Sequence, residues 1–209
     1  LIRFPFAFIM VTDGIAITGY TGPETNALVV PATIAGVPVT VIAQSAFHGV
    51  TAFTSITLPD SVLLVADHAF YGCTNLQSVT LGSSLESIGG WAFAGCSSLP
   101  QITIPANVTN ISSFAFAHCS GLTAITVDSD NPVYSSSDGV LFDKSQTLLL
   151  QYPGGKNGDY VVPEAVAVIA SGAFLGCTGL TSIVIGKGVT AIEEICFYGC
   201  SNMTAIDVH

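Results

Sequence analysis

The sequence predicts a solenoid of stacked β-coils sharing one parallel sheet. Three observations predict it: a marker dipeptide recurring every 23 residues, apolar columns in register with that marker, and a composition of 50% hydrophobic but only 9% charged residues over 209 positions. Globular domains ordinarily carry about 25% charged residues. The excess apolar content is not arranged for a membrane, because the run from Phe4 to Val11 contains Pro5 and is far shorter than the about 18 residues a bilayer helix needs. Disorder is excluded by the same apolar content. With 14 acidic residues against 4 basic ones, a net charge of −10, the chain also lacks the basic footprint of a nucleic-acid binder.

The marker is Ala-Phe. It stands at Ala46-Phe47, Ala69-Phe70, Ala92-Phe93 and Ala115-Phe116, then at Ala173-Phe174, with Cys196-Phe197 as its last copy. Every interval is 23 residues except one of 58, which is 23 plus an insertion of 35. Three residues after each Phe come Val50, Cys73, Cys96, Cys119, Cys177 and Cys200, and three further on Phe53, Leu76, Leu99, Leu122, Leu180 and Met203. Two more apolar columns follow, Ile56, Val79, Ile102, Ile125, Ile183, Ile206 and then Leu58, Leu81, Ile104, Val127, Ile185, Val208. Ahead of the marker lie Val65, Ile88, Ile111, Ile169, Ile192 and, three residues earlier, Val62, Leu85, Val108, Val166, Val189.

A 23-residue unit cannot close a core alone, so neighbouring units must stack and share one. The I-x-L segment has a period of two and is rich in Ile, Val and Thr, which predicts a short strand in each coil and hence a parallel sheet on one face. Pro59, Gly82, Pro105, Pro163 and Gly186 turn the chain off that sheet. The marker segment is expected to pack Phe inward from short strands, tight turns or 3₁₀ pieces on the opposite side. Each coil thus commits about eight of its 23 positions to the shared core and fills the rest mainly with Ser, Thr, Gly, Ala and Asn.

These residues resemble the BspA-like leucine-rich repeats, the Treponema pallidum type, whose unit reads C-x-x-L-x-x-I-x-L-P-x-x-V-x-x-I-x-x-x-A-F-x-x. The resemblance runs from about residue 13 to the C-terminus. It includes the segment from Asp13-Gly14-Ile15 to Gly19-Tyr20-Thr21-Gly22 and the insertion from Asp130-Asn131-Pro132-Val133-Tyr134 through Asp138-Gly139-Val140-Leu141-Phe142 to Tyr152-Pro153-Gly154-Gly155. It implies a leucine-rich-repeat solenoid and a secreted or surface-anchored protein whose usual role is adhesion or protein binding.

The expected organisation is an N-terminal β cap over residues 1–42, coils over 43–127, an insertion over 128–163 and further coils over 164–209, all one continuous domain. The cap is read from strand-like runs at Ile15 to Thr18, Ala27 to Val30 and Pro38 to Ile42. A solenoid needs such a cap, or its first coil is wetted. The final run, Met203 to Val208, is itself a coil strand, so its edge is open to pairing with another chain or to further coils. With no initiator Met, signal peptide or anchor in view, the chain is expected to be a piece of a longer protein. The insertion alternates strand runs (Val140 to Phe142, Thr147 to Tyr152, Tyr160 to Val162) with turns, and is expected to project as a β-hairpin from one edge. It carries Asp128, Asp130, Asp138, Asp143 and Asp159, which read as turn residues because calcium needs its oxygens brought together.

Catalytic chemistry finds no foothold. Five of the six cysteines share one column, which suits buried free thiols and offers none of the C-x-x-C pairs of a zinc site. Cys196, four residues from Cys200, is the one expected to pair or react. His48, His68 and His118 stand at offsets +1, −2 and +2 from the marker Phe, different directions that predict no histidine ladder. No nucleophile-base pair, phosphate loop, metal set or cofactor motif is found. Asn107, Asn110 and Asn202 begin N-x-S/T triplets, meaningful only in a eukaryotic secretory pathway.

The outward positions of the strands carry the binding expectation. Ser55, Thr57, Ser78, Thr80, Gln101, Thr103 and Thr126 form a neutral, hydroxyl-rich ribbon without Trp, Tyr or Arg anchors, while Tyr134, Tyr152 and Tyr160 lie on the insertion, the first two as further ligand-facing candidates. Trp91 and Tyr71 fall on the turns, so an edge is a second surface for a ligand. The predicted function is a non-catalytic extracellular or cell-surface module that binds a host protein or glycan, with a structural spacer or stalk as the alternative.

Overall fold

The computed structural model describes residues 4–209, and among these the chain makes about eight coils of strand and turn without a helix. Residues 1–3 of the expected cap lie outside the described residues. Each coil supplies one strand to each of two faces. The first face is built by Thr25–Val29, Phe53–Thr57, Ser78–Thr80, Gln101–Ile104, Ala124–Val127, Gly158–Val161, Leu180–Ile185 and Ala205–Val208. The second is built by Gly14–Tyr20, Val37–Ile42, Leu64–Val65, Ser87–Ile88, Asn110–Ile111, Leu148–Gln151, Val168–Ile169 and Ala191–Ile192. Neighbouring coils pair in parallel on both faces, for example Ile56 opposite Val79 and Ile42 opposite Val65.

The first face is interrupted twice, each time for a local reason. Gln77 N donates to Thr54 O and Thr123 N to Pro100 O, but Pro100 has no N–H to offer Gln77, so the ladder lapses between Ser78–Thr80 and Gln101–Ile104. The second gap, after Ala124–Val127, is filled by a hairpin tip from the insertion: Ile125 N donates to Gly139 O at 2.8 Å and Val127 N to Ser136 Oγ at 3.1 Å. Gly139 has φ +74, and a Cβ there would sit 3.0 Å from the Cα of Ala124, so both conformation and space call for glycine.

The core follows the columns read from the sequence. Phe47, Phe70, Phe93, Phe116 and Phe174 are buried and stack along the axis, with Phe47 and Phe70 at 5.0 Å and 6° and Phe70 and Phe93 at 5.1 Å and 5°. Each such ring contributes about 1.5–3 kcal/mol of apolar burial. Turns, rather than 3₁₀ pieces, carry the marker. The residue two before each Phe is left-handed (Ser45, His68, Trp91, Phe114 and Ile195, φ between +50 and +66), which breaks any run of helical dihedrals. The cap is an antiparallel hairpin, Phe6–Val11 on Gly14–Tyr20, and the latter strand pairs in parallel with Val37–Ile42 to start the stack.

The insertion does not project. Its hairpin, Tyr134–Ser137 against Val140–Asp143, is real, but Val140, Leu141 and Phe142 are buried. Leu148–Gln151 then pairs in parallel with Val168–Ile169, and Gly158–Val161 with Leu180–Ile185. The insertion therefore forms a whole extra coil, because a stretch so rich in apolar residues gains more by joining the core than by leaving it.

Candidate functional site

The strand register assembles the ribbon. Thr57 lies opposite Thr80, and Thr103 opposite Thr126, whose hydroxyls meet at 2.9 Å. Ser78, Thr80, Gln101, Thr103 and Thr126 are exposed, Thr57 too, and Ser55 is half-buried because its hydroxyl donates to Asn26 O. The ribbon is longer than its threonines suggest. Val29 stands opposite Thr57 and is 66% exposed, Ala27 stands opposite Ser55, and Val161, opposite Val184, is 65% exposed. One column is therefore β-branched over seven coils, Val29, Thr57, Thr80, Thr103, Thr126, Val161 and Val184, and ends in the last coil on Asp207. Val29 and Val161 were legible only through their neighbours, since Leu28-x-Val30 and Tyr160-x-Val162 each repeat the I-x-L pattern.

Tyr134 and Tyr152 are not ligand-facing. Tyr134 is buried: its hydroxyl accepts from Ile111 N at 2.9 Å and donates to Thr109 O at 3.4 Å, completing the edge that Asn110–Ile111 leaves unpaired. Burial pushes its phenol upward, against the pull of the Ile111 N–H. Tyr152 is 1% exposed and takes the marker Phe position in the inserted coil, stacked 5.1 Å from Phe174. Its phenol is pushed up to about 12 by burial. Both face inward because the segment that carries them is a coil, not a loop.

Beside them Asn131 is fully buried and fully bonded. Its Nδ2 donates to Pro105 O and Val108 O, both at 2.9 Å, while its Oδ1 accepts from Val133 N at 2.9 Å and Tyr134 N at 2.8 Å. The insertion aspartates are occupied locally. Asp143 accepts from Leu148 N, Thr147 and Ser145, hydrogen bonds that outweigh its partial burial and hold the carboxyl below its ordinary value. Asp138 pairs with Lys156 at 2.6 Å, and Asp159 is lowered by hydrogen bonds from Thr181 and Ser182. Among the described residues, no group of three His, Cys, Asp or Glu side chains is placed to hold a metal ion.

The thiols form a ladder of a different kind from a disulfide. Cys73, Cys96 and Cys119 donate from Sγ to the carbonyls of Phe47, Phe70 and Phe93 in the preceding coil, at 3.0, 3.3 and 3.1 Å. Burial pushes the Cys73 and Cys119 thiols up to about 12 and Cys96 higher still. Cys196 is free and 4% exposed, while Cys200 is free and half-buried. The expectation of a reactive Cys196 thus moves to Cys200.

Two of the three histidines near the marker share one turn edge without touching one another. Residues at −2 and +1 from the marker both lie outside the inward-facing Phe, because the −2 residue is left-handed and swings its side chain back over the turn. His48 and His68 consequently flank one ring, Tyr71, at 5.1 and 5.6 Å. His68 stacks on Trp91 at 14°, and Trp91 on Phe114 at 4.8 Å and 22°. Trp91 and Phe114 pack over the buried Ala94, Ala117 and Leu175.

A family model described as the BspA type leucine rich repeat region matches residues 37–147 and 156–209 in 6 copies. The two coils it does not fully cover are the cap coil and the one holding Tyr152. Among solved structures, the chain is similar to the leucine rich repeat protein of T. pallidum, with 28% identity over 97% of this chain and 79% of that one, and a TM-score of 0.61. It is also similar in fold to a leucine-rich repeat protein from Eubacterium ventriosum ATCC 27560 (22% identity, 100% and 71% covered, TM-score 0.63). A third is the pneumococcal vaccine antigen PcpA (21% identity, 96% and 70% covered, TM-score 0.61). No curated protein matches the chain.

Proposed function

Because the chain belongs to the BspA-type leucine-rich repeat family, we propose that it is a non-catalytic binding module acting outside the cell or on its surface, in adhesion to a host protein. Leucine-rich repeat modules generally bind proteins and are typically non-catalytic. The observation that carries the reading is the ribbon. In a chain of net charge −10, the ten outward positions from Ala27 and Val29 to Ala124 and Thr126 hold no charge. Nine are short side chains, and the Val/Thr column is stiff at χ1, so little side-chain freedom is lost when a partner covers them. A flat, neutral sheet of this kind suits a weakly polar protein surface rather than a highly charged one.

The test is saturable binding to a panel of immobilised host matrix proteins, with wild type compared with a Thr57→Lys/Thr103→Lys variant. Loss of at least about tenfold in affinity with an unchanged melting temperature is expected. Binding that survives the substitution overturns the ribbon as the site, and no binding to any protein of the panel favours a spacer or stalk.

A further inference from the structure

The cap hairpin covers the first coil with one strand edge and leaves the other edge open. Phe6–Val11 stands last in its sheet, and among the described residues no strand pairs with its outer side. Phe4, Phe8, Ile9 and Met10 are 44%, 41%, 55% and 65% exposed. The aromatic packing of the core runs out to this edge: Phe47 meets Tyr20 at 6.3 Å, Tyr20 meets Phe6 at 5.7 Å, and Phe4 meets both Phe6 and Phe8, at 5.6 and 5.9 Å. A terminal cap ordinarily presents a polar outer face, and a free edge is ordinarily guarded by charge or proline. The strand Phe6–Val11 reads FAFIMV and has neither. Pro5 does not guard it, because Pro5 O accepts from Thr21 N at 2.8 Å and so lies on the hairpin side. Antiparallel alternation then turns the backbone groups of Phe6, Phe8 and Met10 to the open side.

We propose that this edge pairs with the same edge of a second copy, antiparallel across a two-fold axis at Phe8. In that register Phe8 faces Phe8, Phe6 faces Met10, Ala7 faces Ile9 and Pro5 faces Val11 of the other copy, so the whole strand is paired and each facing pair is apolar. Charge favours a second copy over a foreign strand. Continued past Phe4 and Thr12, the register sets Arg3, the only Lys or Arg before Lys144, against Asp13 of the other copy at both ends of the paired strands. The other open strand, Ala205–Val208, carries Asp207, and self-pairing there would bring two carboxylates into one interface. The exposed parts of Phe4, Phe8, Ile9 and Met10 come to about 400 Å² per copy. With the paired backbone, the two copies bury about 1,000 Å² in all, the lower bound of a specific interface. The dimer is therefore weak and concentration-dependent, and being isologous it closes at two copies.

The experiment is sedimentation velocity on the 209-residue chain between about 1 and about 200 µM. The mean mass is expected to rise from one chain towards two and no further. Phe8→Lys, which sets like charges face to face across the axis, weakens association at least about tenfold. Met10→Lys, at the most exposed position of the strand, weakens it too while melting like wild type at the lowest concentration. In a Cys200→Ser background, mild oxidation cross-links Phe8→Cys, whose two copies are about 5.5 Å apart at Cα, and not Ile9→Cys, which faces Ala7. A chain that stays monomeric at the highest concentration, association untouched by both lysine substitutions, association lost through Ile206→Lys instead, cross-linking of Ile9→Cys alone, or growth beyond two copies each overturns the proposal. None of the substituted residues belongs to the ribbon assay, so the two readings fail independently.

Discussion

The Sγ of Cys73 donates a hydrogen bond to the carbonyl oxygen of Phe47, 3.0 Å away and 26 residues earlier. The same bond recurs from Cys96 to Phe70, Cys119 to Phe93 and Cys200 to Phe174. Cysteine thus fills its column as a small apolar group that also gives a second hydrogen bond to a turn carbonyl of the coil below, which already accepts a backbone N–H. Thiol reagents at mild alkaline pH should label Cys200 in the folded protein and leave the other five unmodified. Rapid labelling of all six would contradict the ladder.

The same burial predicts an alkaline limit to stability. A thiol in the unfolded chain ionises near pH 8.5, whereas Cys73, Cys119 and Cys196 are raised to about 12 in the fold. The folded values lie above the unfolded ones, so this stabilisation is complete below about pH 8.5 and is lost as the pH climbs towards about 12. Melting temperature against pH should fall through that window, and a Cys73→Ala/Cys119→Ala variant, though less stable at neutral pH, should show a shallower decline. An equal decline in the two proteins would count against the thiols as its source.

Asn131 joins four backbone groups of two coils, so Asn131→Ala removes the side-chain partner of Val108 O, Val133 N and Tyr134 N and leaves Pro105 O with Val108 N alone. The expected cost is at least about 3 kcal/mol in urea unfolding. Asn131→Asp should be as damaging, since an ionised carboxylate cannot donate to Pro105 O and Val108 O. A loss within experimental error for either would show that the inserted coil does not depend on this side chain.

Removing residues 128–162 should restore the period, because 58 − 35 = 23 and Val127 then joins Pro163 as the repeat requires. Phe116 would stack on Phe174, a contact prepared by the bond already made from His118 N to Leu175 O at 3.2 Å. The shortened chain should unfold cooperatively by circular dichroism with one coil fewer. Loss of the cooperative transition would mean that the insertion organises the coils after it.

Ile195 is a β-branched residue at φ +50, in the column where the previous coil has Gly172 at φ +66. Its side chain is 51% exposed and so contributes little burial. Ile195→Gly should therefore stabilise the protein by about 1 kcal/mol, read as a higher urea midpoint. A lower midpoint would show that the contacts of Ile195 outweigh its strain.

Most of the fold was legible because the core repeats: the six Ala-Phe-type markers and their columns place every regular coil. The inserted coil was hidden because its register drifts. Tyr152 stands 22 residues before Phe174, Leu149 pairs with Ile169 only 20 residues on, and Gln151 rather than Ala precedes the ring. A period of 23 therefore predicts a projecting hairpin there, and turns Tyr134 and Tyr152 outward. The turn edge was missed for a different reason. Offsets of −2 and +1 look divergent until the left-handed backbone at His68 and Trp91 brings them to one side, and propensity favours neither residue there. The ribbon needed only strand alternation, which is why its threonines were found and Val29 and Val161, outside the regular repeats, were not.

The central claim is that the neutral column of the first face is the surface a protein partner covers. Methyl NMR on protein labelled at valine and threonine tests it most directly, by titration with a matrix protein that binds saturably. The account predicts that the methyl signals of Val29, Thr57, Thr80, Thr103 and Thr126 shift together and follow one binding curve. Shifts confined to other parts of the molecule, with these five signals unmoved at saturation, would contradict it.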